Sequence, residues 1–351
     1  MNKDLKTQIK AAVSQLLLQL NKIDVESEEI SEYNKTYLKK YLSNYNFYMS
    51  YYSQLLLKAI QKLKKSKEES VFVDYGGGSG ILSYLASILG FKQVIYNDIY
   101  SVSVSDVKII SKNLNISIDY FFLGNINELV KNLDLNFIKP DIICSFDVLE
   151  HIYDLDTWFT ELSKLSNFNL LFMTSANPKN PLVNYRLKKL QNKAEYYGFN
   201  KHLGWKKSDE NLPYSIVRKN IIKSKFPSLK NNEIDYLTKK TRGLRKDDIE
   251  KIVNSFIKKE VINYAIKHPT NTCDPYTGNW TEHLINLEDF KIDLKAKGFK
   301  VNYSNSLYSL SSNNILNKFK IFINLLIQLL KPNNLFFSPN YVLELEKKSE
   351  I

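Results

Sequence analysis

Apolar residues at Leu5, Ile9, Val13, Leu16, Leu17 and Leu20 recur at helical spacing, which predicts an amphipathic helix at the start of the chain. A second helical pattern runs from Tyr37 through Leu38, Tyr41, Leu42, Tyr45, Tyr48, Tyr52, Leu55, Leu56 and Ala59 to Leu63. Together they predict an N-terminal helical extension over residues 1–66. The tyrosine stripe reads as a helix-packing surface, with the wall of a substrate entrance as the alternative.

From Ser70 the pattern changes to short apolar runs alternating with helical segments, as in a parallel sheet covered by helices. Strands are expected at Val71–Asp74, Gln93–Asp98, Ile118–Leu123, Asp141–Phe146 and Leu170–Thr174. The first helix should follow Gly80 and stop at Gly90, a residue suited to a left-handed C-terminal position. This α/β core is assigned to residues 67–175. Beyond Ala176 the alternation breaks into helical patterns separated by Pro, Gly and Asn, clearest at Leu187–Tyr197 and Asp248–Ile266, which predicts a helical cap inserted over 176–279. Residues 280–351 should complete the sheet. They hold a helix starting near Asn286 and ending before Gly298, a strand at Phe299–Tyr303, an amphipathic stretch at Ile315–Leu330 and a last strand at Tyr341–Glu346. The amphipathic stretch is expected to bury its apolar side against the core, contact with a membrane or lipid substrate being the alternative.

Length agrees with this division, since 351 residues exceed one ordinary domain of roughly 100–200 residues. With 44% hydrophobic and 13% aromatic residues the chain is not of the disordered class. The net charge of +12 raises the question of nucleic acid. Lysines are spread along the whole chain among many Asn and Ile residues, however, so they read as compositional bias and a nucleic-acid partner is not expected. Cys144 and Cys273 are the two cysteines, with no CxxC or His/Cys cluster, so neither a disulfide framework nor a metal site is indicated and a reducing cytoplasm fits. The first residues lack the apolar core of a signal peptide. Ile321–Leu330, the most apolar run, falls short of the roughly 20 residues of a spanning helix, so no transmembrane segment is expected.

The strongest local signal is Val-Phe-Val-Asp-Tyr-Gly-Gly-Gly-Ser-Gly, Val71 to Gly80, between a strand and a helix. Glycines there permit a tight turn and close approach of the backbone to a ligand. A dinucleotide fingerprint needs a third glycine where Ile81 stands. What is present is Asp74-x-Gly76-x-Gly78-x-Gly80. A carboxylate ending the first strand would repel a pyrophosphate and suits a cationic ligand. S-adenosylmethionine, with an ammonium, a sulfonium and no phosphate, meets that condition. Asp98, with Ile99 beside it, ends the second strand about 20 residues further on, where an acid accepts bonds from ribose hydroxyls. Asn125 follows the third strand, placed to bond the edge of adenine with Ile126 on the ring. The fourth strand runs into Asp147-Val-Leu-Glu-His-Ile152, where Asp147 either lines the methionine end of the cofactor or anchors the turn.

In that order and spacing these motifs resemble those of class I S-adenosylmethionine-dependent methyltransferases of the type 11 and ubiquinone-biosynthesis-like group. The resemblance covers roughly Val71–Thr174, with Leu287–Tyr303 and the final strand similar to the family's last helix and hairpin. Asn125 departs from the Asp often found there. The resemblance implies a Rossmann-like seven-stranded sheet, mostly parallel with one reversed strand, and S-adenosylhomocysteine as the product.

Methyl transfer to a hydroxyl is helped by a base, and His is the natural side chain. His151, within the fourth-strand motif, is the first candidate for catalysis or substrate orientation. His283, the second candidate for catalysis, closes a polar, aromatic loop with Asp274 and Tyr276, and His202 with Trp205 lies in a second such loop; Asp274, Tyr276, His202 and Trp205 are therefore candidate substrate contacts. The favoured reading is O-methylation of a small molecule or a glycan or lipid-linked intermediate. The alternatives are an RNA or protein methyltransferase that uses the basic insertion, and a ligand-binding relative without turnover.

Overall fold

Continuous apolar runs bounded by turn residues produce strands buried on both faces, and the computed structural model, which describes residues 2–198, 212–310, 315–330 and 334–347, has seven of them among those residues. Two compact units emerge. One comprises Met1–Leu149, Asp156–Ser175 and Glu288–Ile351, the other Glu150–Leu155 and Ala176–Leu287. The second unit thus runs past residue 279 and takes in a short segment after the fourth strand.

The first unit begins with helices α1 (Asn2–Leu20), α2 (Glu32–Ser43) and α3 (Tyr45–Lys62). Its sheet then alternates with helices: β1 (Val71–Tyr75), α4 (Ile81–Ile88), β2 (Gln93–Asp98), α5 (Ser101–Asn113), β3 (Tyr120–Leu123), α6 (Ile126–Leu135), β4 (Ile142–Phe146), α7 (Leu155–Leu162) and β5 (Phe168–Thr174). The second unit contributes α8 (Pro181–Tyr196), α9 (Tyr214–Lys225), α10 (Asn231–Lys240) and α11 (Lys246–Ile257). The first resumes with α12 (Leu287–Ala296), β6 (Lys300–Asn305), α13 (Ile315–Leu329) and β7 (Tyr341–Lys347).

The sheet order is β3-β2-β1-β4-β5-β7-β6, with β7 antiparallel to both of its neighbours and the pairs from β3 to β5 parallel. This is the Rossmann-like α/β sheet that the motifs imply. Strand order reverses between β1 and β4, and in such sheets ligands bind beyond the carboxyl ends of the strands at that point. Helix α4 starts at Gly80 and is closed by Gly90 at φ +80°, as expected. The N-terminal helices cover α4: Leu16, Leu20, Leu55 and Leu56 share one fully buried cluster with Leu85 and Ala86.

Three expectations are corrected. The tyrosine-rich pattern from Tyr37 to Leu63 is two helices, separated at Asn44, whose backbone leaves helical geometry at φ −126°. The helix expected over Asp248–Ile266 ends at Ile257, because Lys259 adopts a left-handed conformation at φ +60° and breaks the hydrogen-bond ladder. The amphipathic stretch forms α13, yet its apolar side is not buried: Leu316, Phe319, Phe322, Leu325 and Leu329 are exposed.

In the second unit the fully buried Arg218 guanidinium donates to Glu195 at 2.5 and 3.1 Å and to the Thr238 carbonyl at 3.3 Å. Thr272 also donates to Glu195, at 2.8 Å. Removing one partner of such a pair strands the other charge in a dry interior. Arg218→Met is expected to destabilise the protein by about 3–5 kcal/mol. Glu195→Gln combined with Arg218→Met should recover part of the loss, and calorimetric melting of the three variants checks both expectations.

Candidate active site

The glycine loop after β1 is held by a set of directed bonds. The Gly77 N–H donates to the Asn97 carbonyl at 3.0 Å, and the Gly78 N–H to Asp98 Oδ2 at 2.9 Å. The Tyr96 hydroxyl donates to the Gly78 carbonyl at 2.6 Å. A Cβ on Gly77 would lie 2.6 Å from the Tyr96 ring and 2.7 Å from Asp74 Oδ2, and one on Gly76 would lie 2.7 Å from Val148 Cγ2. A Cβ on Gly78 would meet no atom within 4 Å. Gly76 and Gly77 thus serve close packing, whereas Gly78, at φ +53°, faces open space beside Asp98. Gly80, at φ +80°, begins α4 under Val107 and Tyr84.

The two strand-end acids have separate tasks. Asp74 is buried, and its Oδ2 accepts from the Ser83 N–H at 3.0 Å and the Ser83 hydroxyl at 2.7 Å. It caps the first turn of α4, which Gly80 has no side chain to do. That corrects the expectation of an acid presented to a ligand: this carboxylate lies behind the loop. Burial pushes the Asp74 pKa up to about 7, with the Ser83 bonds opposing and Asp98 adding to the rise. Asp98 also accepts from the Tyr100 N–H, at 2.8 Å on Oδ1, so both of its oxygens are held by backbone amides. Burial raises its pKa, against the opposing bonds from the Tyr100, Gly78 and Ile99 amides.

Around Asp98 the other expected contacts are distributed unevenly. Ile99 is 61% exposed and offers an open apolar surface, whereas Ile126 is buried in the protein and has no face left for a ring. Asn125 is the N-cap of α6: its Oδ1 accepts from the Asn127 N–H at 2.7 Å while its own N–H donates to Glu128 at 3.0 Å. Asp147, at φ +52°, donates its N–H to the Met173 carbonyl at 2.9 Å and accepts on Oδ1 from the Ser175 N–H at 2.7 Å. It ties the ends of β4 and β5 together.

The sequence pattern begins at Tyr37 and passes over Tyr33, and it favours packing over a substrate entrance for the helical neighbours of Tyr33. The Tyr33 and Tyr37 rings are tilted at 54° with centres 5.0 Å apart, and Tyr37 is 6.3 Å from Tyr41. Tyr41 and Tyr52 have their hydroxyl oxygens 3.4 Å apart, and the Tyr52 ring lies 4.9 Å from Phe146 at the end of β4. Burial raises the pKa of Tyr33, with the Asp98 charge contributing, and also that of Tyr41 and Tyr52, with the Asp147 charge contributing. The phenols therefore stay protonated donors along a row running from the end of β2 to the end of β4. The i, i+4 spacing of Tyr33, Tyr37 and Tyr41 was the signal in the sequence.

The second unit holds the remaining candidates. His151 Nδ1 lies 2.8 Å from the Trp280 carbonyl. A carbonyl can only accept, so Nδ1 carries the hydrogen, and in the neutral ring the lone pair is then on Nε2. His283 stacks on Trp280 with ring centres 4.4 Å apart, its Nδ1 has no partner among the described residues, and burial pulls its pKa down to about 3. So weak a base is poorly matched to catalysis near neutrality. Asp274 Oδ1 accepts from the Tyr276 and Thr277 amides at 2.8 and 3.2 Å and closes its own loop, while Tyr276 is half exposed. His202 and Trp205 lie outside the described residues. No group of three or more His, Cys, Asp or Glu residues fit to hold a metal occurs among the described residues.

Residues 47–202 match the family model of a methyltransferase domain. That stretch, 156 of the 351 residues, is similar to a methyltransferase domain. The open ground over Gly78, bounded by Asp98 and Ile99, fits a nucleoside with a cationic tail. No curated protein matches the chain. Among solved structures, it is similar to the YcgJ protein of Bacillus subtilis at 17% identity, covering 40% of this chain and 59% of that one, with a TM-score of 0.33. It is similar to an S-adenosylmethionine-dependent methyltransferase of Clostridium acetobutylicum at 12% identity, covering 91% and 100%, with a TM-score of 0.44. A third similarity is to a methyltransferase of Agrobacterium tumefaciens, at 13% identity over 35% and 43% of the two chains, with a TM-score of 0.28. The chain therefore spans 59% of the length of the first of these, YcgJ.

Two pH dependences follow for the protein without added cofactor. Folding favours protonated Asp74, so its contribution to stability is complete below its ordinary pKa of 3.8 and is lost as pH rises through about 7. Asp74→Asn, which keeps an acceptor for Ser83, should match the parent in melting temperature near pH 4 and exceed it by a few degrees near pH 8. His283 has the opposite sign, since folding favours its neutral ring and stability falls as pH drops from about 6.5 toward about 3. Its imidazole proton resonances should show no titration between pH 5 and pH 8.

Proposed function

We propose that the chain catalyses S-adenosylmethionine-dependent methyl transfer to an oxygen of a small molecule or of a glycan or lipid-linked intermediate. The observation that carries the proposal is the pairing of Gly78 with Asp98: a backbone with nothing over it, beside a buried carboxylate that retains acceptor capacity. Asp98 accepts the two ribose hydroxyls, Ile99 packs on the adenine, and the protonated phenols of Tyr33 and Tyr41 face the cofactor as donors. When bound, S-adenosylmethionine supplies a methyl carbon made electrophilic by the positive sulfur.

His151 is the general base in this reading. It follows Asp147 by four residues in the chain, and the Trp280 carbonyl fixes the tautomer with a basic Nε2. Nε2 would take the proton of the acceptor hydroxyl while the bound cofactor would supply the methyl group to its oxygen. The low pKa of His283 makes it the weaker candidate.

Asp98→Ala should weaken S-adenosylmethionine binding by about 10- to 100-fold in titration calorimetry, the loss expected of bonds to a charged acceptor. Unchanged affinity would remove the cofactor assignment for this residue. His151→Ala should leave that affinity within about twofold and lower kcat by about 10²–10⁴. Incubating an extract of the producing cells with enzyme and isotopically labelled cofactor identifies the acceptor: label in small molecules, glycans or lipids supports the proposal, whereas label confined to RNA or protein overturns it.

A further inference from the structure

Helix α13 is mounted with its polar side inward. Asn324, buried, accepts on Oδ1 from the Tyr308 N–H at 2.8 Å and donates from Nδ2 to the Tyr308 carbonyl at 3.0 Å. Ile327 is buried on the same side. The opposite side carries Phe319, Phe322, Leu325 and Leu329, which are between 52% and 82% exposed. A surface helix of a globular protein ordinarily turns such a stripe toward its own core. A continuous apolar surface of this kind marks an interaction site.

The surroundings of the helix are basic. From Ser306 to Asn340 the sequence contains Lys318, Lys320 and Lys331 and no Asp or Glu. Lys318 is exposed on the apolar side itself. The segment leading into α13 is fastened to α3, since the Leu307 N–H donates to Gln54 Oε1 at 2.7 Å and Gln54 Nε2 donates to the Leu307 carbonyl at 3.1 Å. Gln54 also stands in the wall of a groove between α1 and α3, of about 270 Å³, floored by Ile9 and Met49 and edged by Lys6 and Lys10. Gln54 thus links this lysine-edged apolar groove to the segment that precedes α13.

We propose that α13 and this adjoining groove form a docking surface for an anionic lipid bilayer. The helix lies in the headgroup plane, with Phe319, Phe322 and Leu325 in the acyl layer. Lys318 extends its ammonium group to the lipid phosphates while its methylenes remain among the apolar side chains. At 15 residues α13 is about 22 Å long, and no helix among the described residues is long and apolar enough to cross a membrane, so the contact is with one leaflet. A second copy of the chain fits this side less well, because a twofold interface would bring Lys318 toward its own counterpart without an acid nearby. The inference rests on the geometry of the helix and not on the assignment of the methyl acceptor.

The test is co-sedimentation of the full chain with vesicles of phosphatidylcholine alone and of phosphatidylcholine mixed with phosphatidylglycerol. Binding to the anionic vesicles should exceed binding to the neutral ones by roughly tenfold and weaken with added salt. The double variant Phe322→Glu with Leu325→Glu should lose roughly tenfold or more of that binding, with its melting temperature and S-adenosylmethionine affinity unchanged. No binding, undiminished binding by the double variant, or equal binding to both vesicle types would overturn the proposal. So would light scattering that shows a dimer of the parent chain and a monomer of the double variant, since a second copy would then cover the helix.

Discussion

The first unit depends on satisfying two carboxylates at the ends of adjacent buried strands. Asp74 and Asp98 both lie in an interior where an unpaired charge is costly; Asp74 is met by Ser83 in the first turn of α4, and Asp98 by Gly78 of the turn after β1 and by Tyr100 after β2. The demand for those donors dictates the path of the loop. Gly77 must lack a side chain because Asp74 and Tyr96 already fill that place, and Gly78 must turn its amide toward Asp98, which leaves its other side open. The opening over the sheet is a by-product of how the acids are held.

This division of labour explains why the site was only partly legible. The order of acids and glycines can be read from the sequence because each spacing follows from one βα unit. Which acid faces outward cannot be read so, since it depends on a donor nine residues further along the chain: Ser83 claims Asp74, and no pattern in the strand announces that bond. Ile126 and Ile99 illustrate the same limit. Both follow a strand end, yet the first turns into the core and the second to solvent.

For the fold, the extents of β2 and β7 and the stop of α4 at Gly90 were recoverable because apolar runs and glycines act locally. The break at Asn44 was not, because the tyrosine stripe continues through it in register and periodicity alone does not register a single non-helical residue. Nor was the orientation of α13. Its sequence is apolar on one side, and burial of that side is the ordinary outcome; the inversion is enforced by Asn324, whose one amide group satisfies both backbone groups of Tyr308.

That attachment has a kinetic corollary. Sheet strands such as β5, buried along their whole length, exchange amide hydrogens only when the domain opens. Among the contacts that fasten helix α13 are the two Asn324 bonds and the burial of Ile327, each worth on the order of 1–3 kcal/mol. It belongs to the part of the molecule that can detach while the sheet stays intact, so its amides form a separate, faster-exchanging population, and a change in its orientation leaves the strand ends beneath Gly78 undisturbed.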